Sequence, residues 1–181
     1  IELILIVTMF VSAIHYGLLF STLTGKRNNI FRSEVVKTYL VVLAASSVLI
    51  AVSLRLADVY PTLLSSFRHS LFQVVSISTT TGFATADTNT WTPLAVMILV
   101  VLSLTGACAG STSGGLKFDR LILAAKSVKA RIVQQQHPNA IVRIKIDGVI
   151  QRTDTVSTVM TFIVFYILLI LIGVFVNSLY G

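Results

Sequence analysis

Five consecutive residues, Thr79-Thr80-Thr81-Gly82-Phe83, place three hydroxyls and a glycine in a short run poor in helix formers. The carbonyls of such a strand can turn inward and replace the water shell of a bare cation. Glycine helps because it reaches backbone angles that an L side chain disfavours. The hydroxyls of Thr79, Thr80 and Thr81 can brace the strand. Two other readings compete. A nucleophile needs a base beside one of these hydroxyls, and the nearest histidine, His69, lies ten residues before Thr79. A Ser/Thr-rich surface loop needs no chemistry at all.

A second segment, Gly106-Ala107-Cys108-Ala109-Gly110-Ser111-Thr112-Ser113-Gly114-Gly115, holds ten small residues inside an otherwise apolar run. Gly106, Gly110 and Gly114 are spaced by four. That spacing fits close helix packing of the small-xxx-small kind. It fits equally a flexible obstruction lying within the membrane below the 79–83 strand. The stretch from Gly110 to Lys117 superficially resembles a phosphate loop, but it lacks the G-x-x-x-x-G-K-[ST] spacing and follows no strand. Nucleotide binding is therefore set aside. Lys117 is either a contact of this segment or an interface residue with its charged head in water. His15 reads as a hydrogen bonder inside a bundle, Cys108 as a packing residue, and Asp119 with Arg120 as local pairs. Arg68, Asp58 and Asp87 either tune an outer vestibule or are solvated loop charges.

The elements that position these segments are apolar helices. Leu3 to Leu23 is long enough for one membrane span, closed by Thr24-Gly25-Lys26-Arg27-Asn28-Asn29. Ser33 is an N-cap candidate and Glu34 suits a first helical turn. That helix runs through Thr38–Leu54 to Ala57, with Asp58, Tyr60 and Pro61 at its outer end. Leu63 to Ser78 reads as a helix of only about 24 Å, short of the ~30 Å hydrocarbon core. Charge placement puts residues 58–64 and 86–90 on the same side, so the chain between them must enter the membrane and return. Trp91 reads as an interfacial aromatic and Pro93 as a helix opener. One helix from 93 to 133 would be about 60 Å long, so it breaks at the glycines, projects into the cytoplasm, or does both. Residues 134–153 are polar and basic, with His137-Pro138 and a hairpin signal in Ile141–Ile146 followed by Asp147-Gly148. Thr155 to Val176 is the last span.

Composition agrees with a lipid solvent. Charged residues make up 12% of the chain, half the roughly 25% of a soluble domain. The net charge of +7 invites a nucleic-acid partner, but twelve of the fourteen basic residues flank two gaps between apolar runs. That is the positive-inside pattern, which names membrane lipid and a cytoplasmic protein as neighbours and no nucleic acid. Cys108 is the only cysteine, which excludes an intrachain disulfide and a cysteine zinc site. Ile1 begins directly in an apolar run without a signal-peptide n-region, and Gly181 follows another such run. The chain reads as a piece of a longer protein. No convergent ionisable residues stand at mid-membrane, as a membrane enzyme or scaffold doing lipid-phase chemistry would need.

Ser-Thr-Thr-Thr-Gly-Phe-Ala-Thr at 78–85, followed by 106–117, resembles the Trk/Ktr/HKT potassium transporter superfamily, most closely its TrkH-type subunits. The resemblance implies an all-α membrane protein built from M1–P–M2 potassium-channel-like repeats, with a re-entrant pore helix and a broken M2 helix. It makes residues 1–24 the end of a preceding repeat and 33–133 one complete repeat. Residues 134–153 become a cytoplasmic connection and 154–177 the M1 helix of the next repeat. It makes Thr80, Thr81, Gly82 and Phe83 a selectivity filter within the 78–85 strand, and 106–115 a gating loop. K⁺ held by backbone carbonyls is the implied cargo, with no organic cofactor and no catalytic residue. The resemblance further implies potassium uptake across a bacterial cytoplasmic membrane, a homodimer, and a cytoplasmic nucleotide-binding regulatory subunit of the TrkA/KtrA type. Na⁺ or mixed Na⁺/K⁺ transport remains the alternative within the superfamily.

Overall fold

A computed structural model describes residues 1–25, 30, 32–137 and 142–180. Lys26 to Asn29, Pro138 and Ile141, assigned above to turns and a hairpin arm, lie outside the described residues. The chain forms two units, Ile1–Phe118 and Asp119–Gly181.

In the first unit, α1 (Glu2–Ser12) and α2 (Tyr16–Leu23) replace the single span expected over Leu3–Leu23. They meet at a 100° bend. The local cause is His15, whose Nδ1 accepts from the Gly17 amide at 2.9 Å and so caps α2. A side chain on Gly17 would collide with that imidazole. A residue expected to bond across the bundle instead begins a new helix.

The helix α3 (Glu34–Leu56) starts where Ser33 accepts from the Val36 amide, with Glu34 in its first turn. At 23 residues it is about 34 Å long, enough to cross a membrane. Tyr39, Leu43, Ser47, Ile50 and Leu54 recur every three or four residues and form its buried face. The short helix α4 (Leu63–Ser78) packs against it, and buried Ser66 and Ser70 lie on α4. Beyond α4 the chain doubles back. Ser76 Oγ donates to the Phe83 carbonyl at 2.6 Å, and Gln73 Nε2 to the Ala86 carbonyl at 3.3 Å. A 3₁₀ turn at Thr88–Thr90 leads to α5 (Pro93–Leu104), capped by Thr92. Trp91 is 5% exposed and donates to the Tyr60 hydroxyl, so this aromatic is packed within the unit. After α5 the helix breaks, and it does not resume until Phe118.

The second unit contains α6 (Phe118–Gln136 from its second residue), a hairpin of β1 (Lys145–Ile146) and β2 (Val149–Ile150), and α7 (Thr153–Tyr180). Asp147 and Gly148 both take positive φ, 49° and 80°, as a two-residue hairpin turn of the primed type requires. Lys126 Nζ donates to the Lys145 carbonyl at 2.7 Å. Arg120 sits 4.0 Å above the Phe162 ring. The helix α7 is apolar, has no buried residue over Thr153–Leu179, and is long enough to span a bilayer.

Candidate functional site

The end of α4 sets the backbone of the hydroxyl-rich strand. Thr79 is the C-cap, and Thr80 takes a left-handed conformation with φ 57°. The Thr80 amide donates to Ile77 O at 3.0 Å, and the Thr81 amide to Ser76 O at 3.1 Å. This pair is a Schellman termination, whose left-handed position is ordinarily glycine. A β-branched residue there costs about 1–2 kcal/mol. Gly82 follows with φ 75° and open space around its Cα.

Side-chain hydroxyls tie this strand back to the helix. Thr79 Oγ1 donates to Val75 O at 2.8 Å and lies 3.2 Å from Thr81 Oγ1. Thr81 Oγ1 is 3.4 Å from Ser76 Oγ. The Tyr39 hydroxyl meets Ser78 Oγ at 3.1 Å, so α3 braces the same end of α4. Among the described residues, the carbonyls of Thr80, Thr81 and Gly82 accept no hydrogen bond, whereas that of Phe83 takes the Ser76 hydroxyl. Three consecutive exposed carbonyls follow a helix C-terminus, which itself carries roughly half a negative charge. Such an array attracts a cation.

The 106–115 segment is a closed loop. Its ends pair as a short parallel bridge, Thr105 with Leu116. The Gly106 amide donates to Leu116 O at 2.8 Å, and the Phe118 amide to Ala107 O at 3.0 Å. Inside, the Ala107 amide donates to Ser113 Oγ at 2.8 Å, and Ser111 Oγ to Cys108 O at 2.6 Å. Ala107, Cys108 and Ser113 are buried. Two of the glycines are required by close contacts. A Cβ on Gly106 would lie 2.0 Å from the Gly114 carbonyl oxygen, and one on Gly110 would lie 2.8 Å from the His15 ring. Gly106 thus makes room within the loop, and Gly110 makes room for the ring that begins α2.

Two neighbours hold this loop. The α1–α2 bend exposes backbone groups that pair with it: the Cys108 amide donates to Ala13 O at 3.2 Å, Thr112 Oγ1 to Ser12 O at 3.3 Å, and the Tyr16 amide to Gly110 O at 3.3 Å. From the strand, Thr80 Oγ1 accepts from the Gly114 amide at 2.8 Å. The two candidate segments, separate in sequence, are thus in direct contact. The role of Lys117, left open between two readings, resolves to a contact of this loop. Its ammonium reaches Ser111 O at 3.3 Å, Ser111 Oγ at 3.4 Å, Ser113 Oγ at 3.1 Å and the Ser113 carbonyl. The participation of the α1–α2 bend was not anticipated. His15 followed by Gly17 is the sequence signal that marks it.

A family model described as TrkH, cation transport protein, matches residues 1–180. The chain belongs to the TrkH family. The potassium uptake protein TrkH of Halomonas elongata is 35% identical over 178 residues, covering 96% of this chain and 37% of that protein. TrkH of Salmonella typhimurium is 32% identical over 147 residues, covering 81% of this chain and 30% of the relative. The crystal structure of the potassium transporter TrkH from Vibrio parahaemolyticus matches with a TM-score of 0.87 at 27% identity, covering 94% of this chain and 37% of that one. The chain therefore spans about a third of the length of the curated relatives it matches. Its fold is the all-α membrane fold of that family, which is built on the M1–P–M2 repeat. The relatives are named as uptake proteins and transporters, not as enzymes.

Proposed function

We propose that this chain supplies one filter strand and the gating loop of a potassium uptake protein in the bacterial cytoplasmic membrane. The three unpaired carbonyls of Thr80, Thr81 and Gly82 at the end of a short helix carry this reading. They offer oxygen ligands to a dehydrated K⁺, and Phe83 completes the strand with a carbonyl that Ser76 steadies. The α4 dipole adds a favourable field at the same end. K⁺ is the cargo rather than a resident cofactor, and it passes when the 106–115 loop withdraws. The names of the relatives support potassium as the ion.

The whole transporter, on this reading, is a homodimer of four-repeat subunits. A cytoplasmic nucleotide-binding subunit of the TrkA/KtrA type regulates it. The basic residues of the second unit, Lys129, Arg131, Arg143 and Lys145 among them, give that subunit and anionic lipid a complementary surface.

The test is rubidium and sodium uptake by the full-length protein in cells lacking their own potassium uptake, with and without Gly82→Ser. At φ 75° a serine is strained whatever the space around it. Selective rubidium uptake that the substitution abolishes or opens to sodium supports the filter. Unchanged selectivity in a normally expressed variant removes Gly82 from the ion path. Selective sodium uptake by the unsubstituted protein favours the Na⁺ alternative.

A further inference from the structure

Lys117 stands out because its charge is folded into the loop. Its ammonium lies within hydrogen-bond reach of four oxygens of Ser111 and Ser113, a carbonyl and a hydroxyl from each. Ser113 is 6% exposed, and Lys117 itself is half-buried. A lysine at a membrane boundary would ordinarily extend its flexible stem toward water. Here the head group takes protein oxygens in place of water. Hydrogen bonds from an ionised donor are about twice as strong as neutral ones.

The same two serines hold the rest of the loop together. Ser113 Oγ accepts from the Ala107 amide, and Ser111 Oγ donates to Cys108 O while lying 2.9 Å from Ser113 Oγ. Removing the ammonium would leave two carbonyls and two hydroxyls crowded together with their partial negative charges unopposed. The loop would then spread or hydrate. A fixed positive charge in the loop also repels any cation arriving from the filter side, which an uncharged pin would not do.

We propose that Lys117 is the pin of the closed loop, a tethered cation occupying an oxygen cage that its withdrawal opens. This rests on reading 106–115 as the gate, and it assigns a large share of that gate's closing force to one side chain. Lys117 is a positioning residue, since it acts through Ser111 and Ser113.

The experiment is rubidium uptake by the full-length protein without its regulatory subunit, comparing wild type, Lys117→Met, Ser111→Ala and the double variant. Lys117→Met keeps the length of the stem and removes the charge. The expected result is a rise in basal uptake of about tenfold or more, the scale of losing charge-assisted hydrogen bonds, with rubidium still preferred over sodium. Ser111→Ala raises uptake less. The double variant adds nothing to Lys117→Met, because both act through one cage. Basal uptake unchanged or reduced in an assembled Lys117→Met protein overturns the proposal, as does full additivity. If Lys117→Met fails to assemble, Ser111→Ala decides alone, and wild-type uptake in it overturns the proposal. Gly106→Ala separates the two levels: raised uptake there with none in Lys117→Met leaves the gate standing and removes the pin. No rise in either sinks both.

Discussion

Gly106→Ala should spring the loop open. The added Cβ lies 2.0 Å from the Gly114 carbonyl oxygen, 3.2 Å from Gly114 C and 3.4 Å from Gly115 C, all backbone atoms without a rotamer to yield. Relieving the contact demands a shift of about 1 Å between the two arms of the loop, since carbon and oxygen pack no closer than about 3 Å. Overpacking of this kind costs about 1–3 kcal/mol. The displaced arms also carry the Gly106 amide bond to Leu116 O and the Ala107 amide bond to Ser113 Oγ, each worth about 1 kcal/mol. The closed loop is therefore destabilised by about 3 kcal/mol, roughly a hundredfold in the closed-to-open ratio. Gly114→Ala is the control. Its Cβ meets only the Thr80 side chain, at 3.8 and 4.0 Å, which is ordinary contact. Two assays report the difference: regulator-independent rubidium uptake, and labelling of Cys108, 2% exposed in the closed loop, by a water-soluble maleimide in a background with no other cysteine. Both should rise in Gly106→Ala and stay near wild type in Gly114→Ala. Equal behaviour of the two variants would refute the reasoning, because helix packing through a small-xxx-small face would penalise both glycines alike.

Two further substitutions test how the strand is tied. Thr80→Val keeps the β-branched shape but removes the acceptor of the Gly114 amide; both groups are exposed, so the loss is about 1 kcal/mol and regulator-independent uptake rises roughly fivefold. Thr80→Ser should hold uptake at wild type, and a valine variant that matches the serine one removes the bond from the gate. Ser76→Ala deletes the donor to the Phe83 carbonyl, so the strand loosens and the rubidium-to-sodium uptake ratio falls by a few-fold. A ratio equal to wild type would show that Ser76 does not hold the strand.

Local signals made much of this legible. The short helix Leu63–Ser78, the Ser33 and Pro93 starts, the interruption at the glycines and the Asp147-Gly148 turn each rest on a few adjacent residues whose conformational preferences are strong. The α1–α2 bend was missed because hydropathy sees only an unbroken apolar run. The one polar residue that starts α2, His15, acts through a bond two residues long that a hydropathy window averages away. The contact between Thr80 and Gly114 joins positions 34 residues apart, and those between the bend and the loop join positions nearly a hundred apart. No periodicity within one element encodes such pairs. Lys117 was ambiguous for a similar reason: whether an ammonium turns to water or to protein depends on carbonyl positions fixed only once the loop has closed.

The two helix breaks explain each other. A bend in an apolar helix frees backbone groups that lipid cannot satisfy, at several kcal/mol each. The carbonyls of Ser12 and Ala13 and the amide of Tyr16 are such groups, and the loop answers them with Thr112, Cys108 and Gly110. The loop, for its part, is non-helical backbone within an apolar region and has the same problem. Each break supplies what the other lacks, so neither would be tolerated against lipid alone. Opening follows the same constraint. On the proposed gating reading, withdrawal of the loop takes the partners of Ser12, Ala13 and Tyr16 away, and these groups must then find water. On that reading the movement is possible only on a side where a hydrated path already reaches the bend.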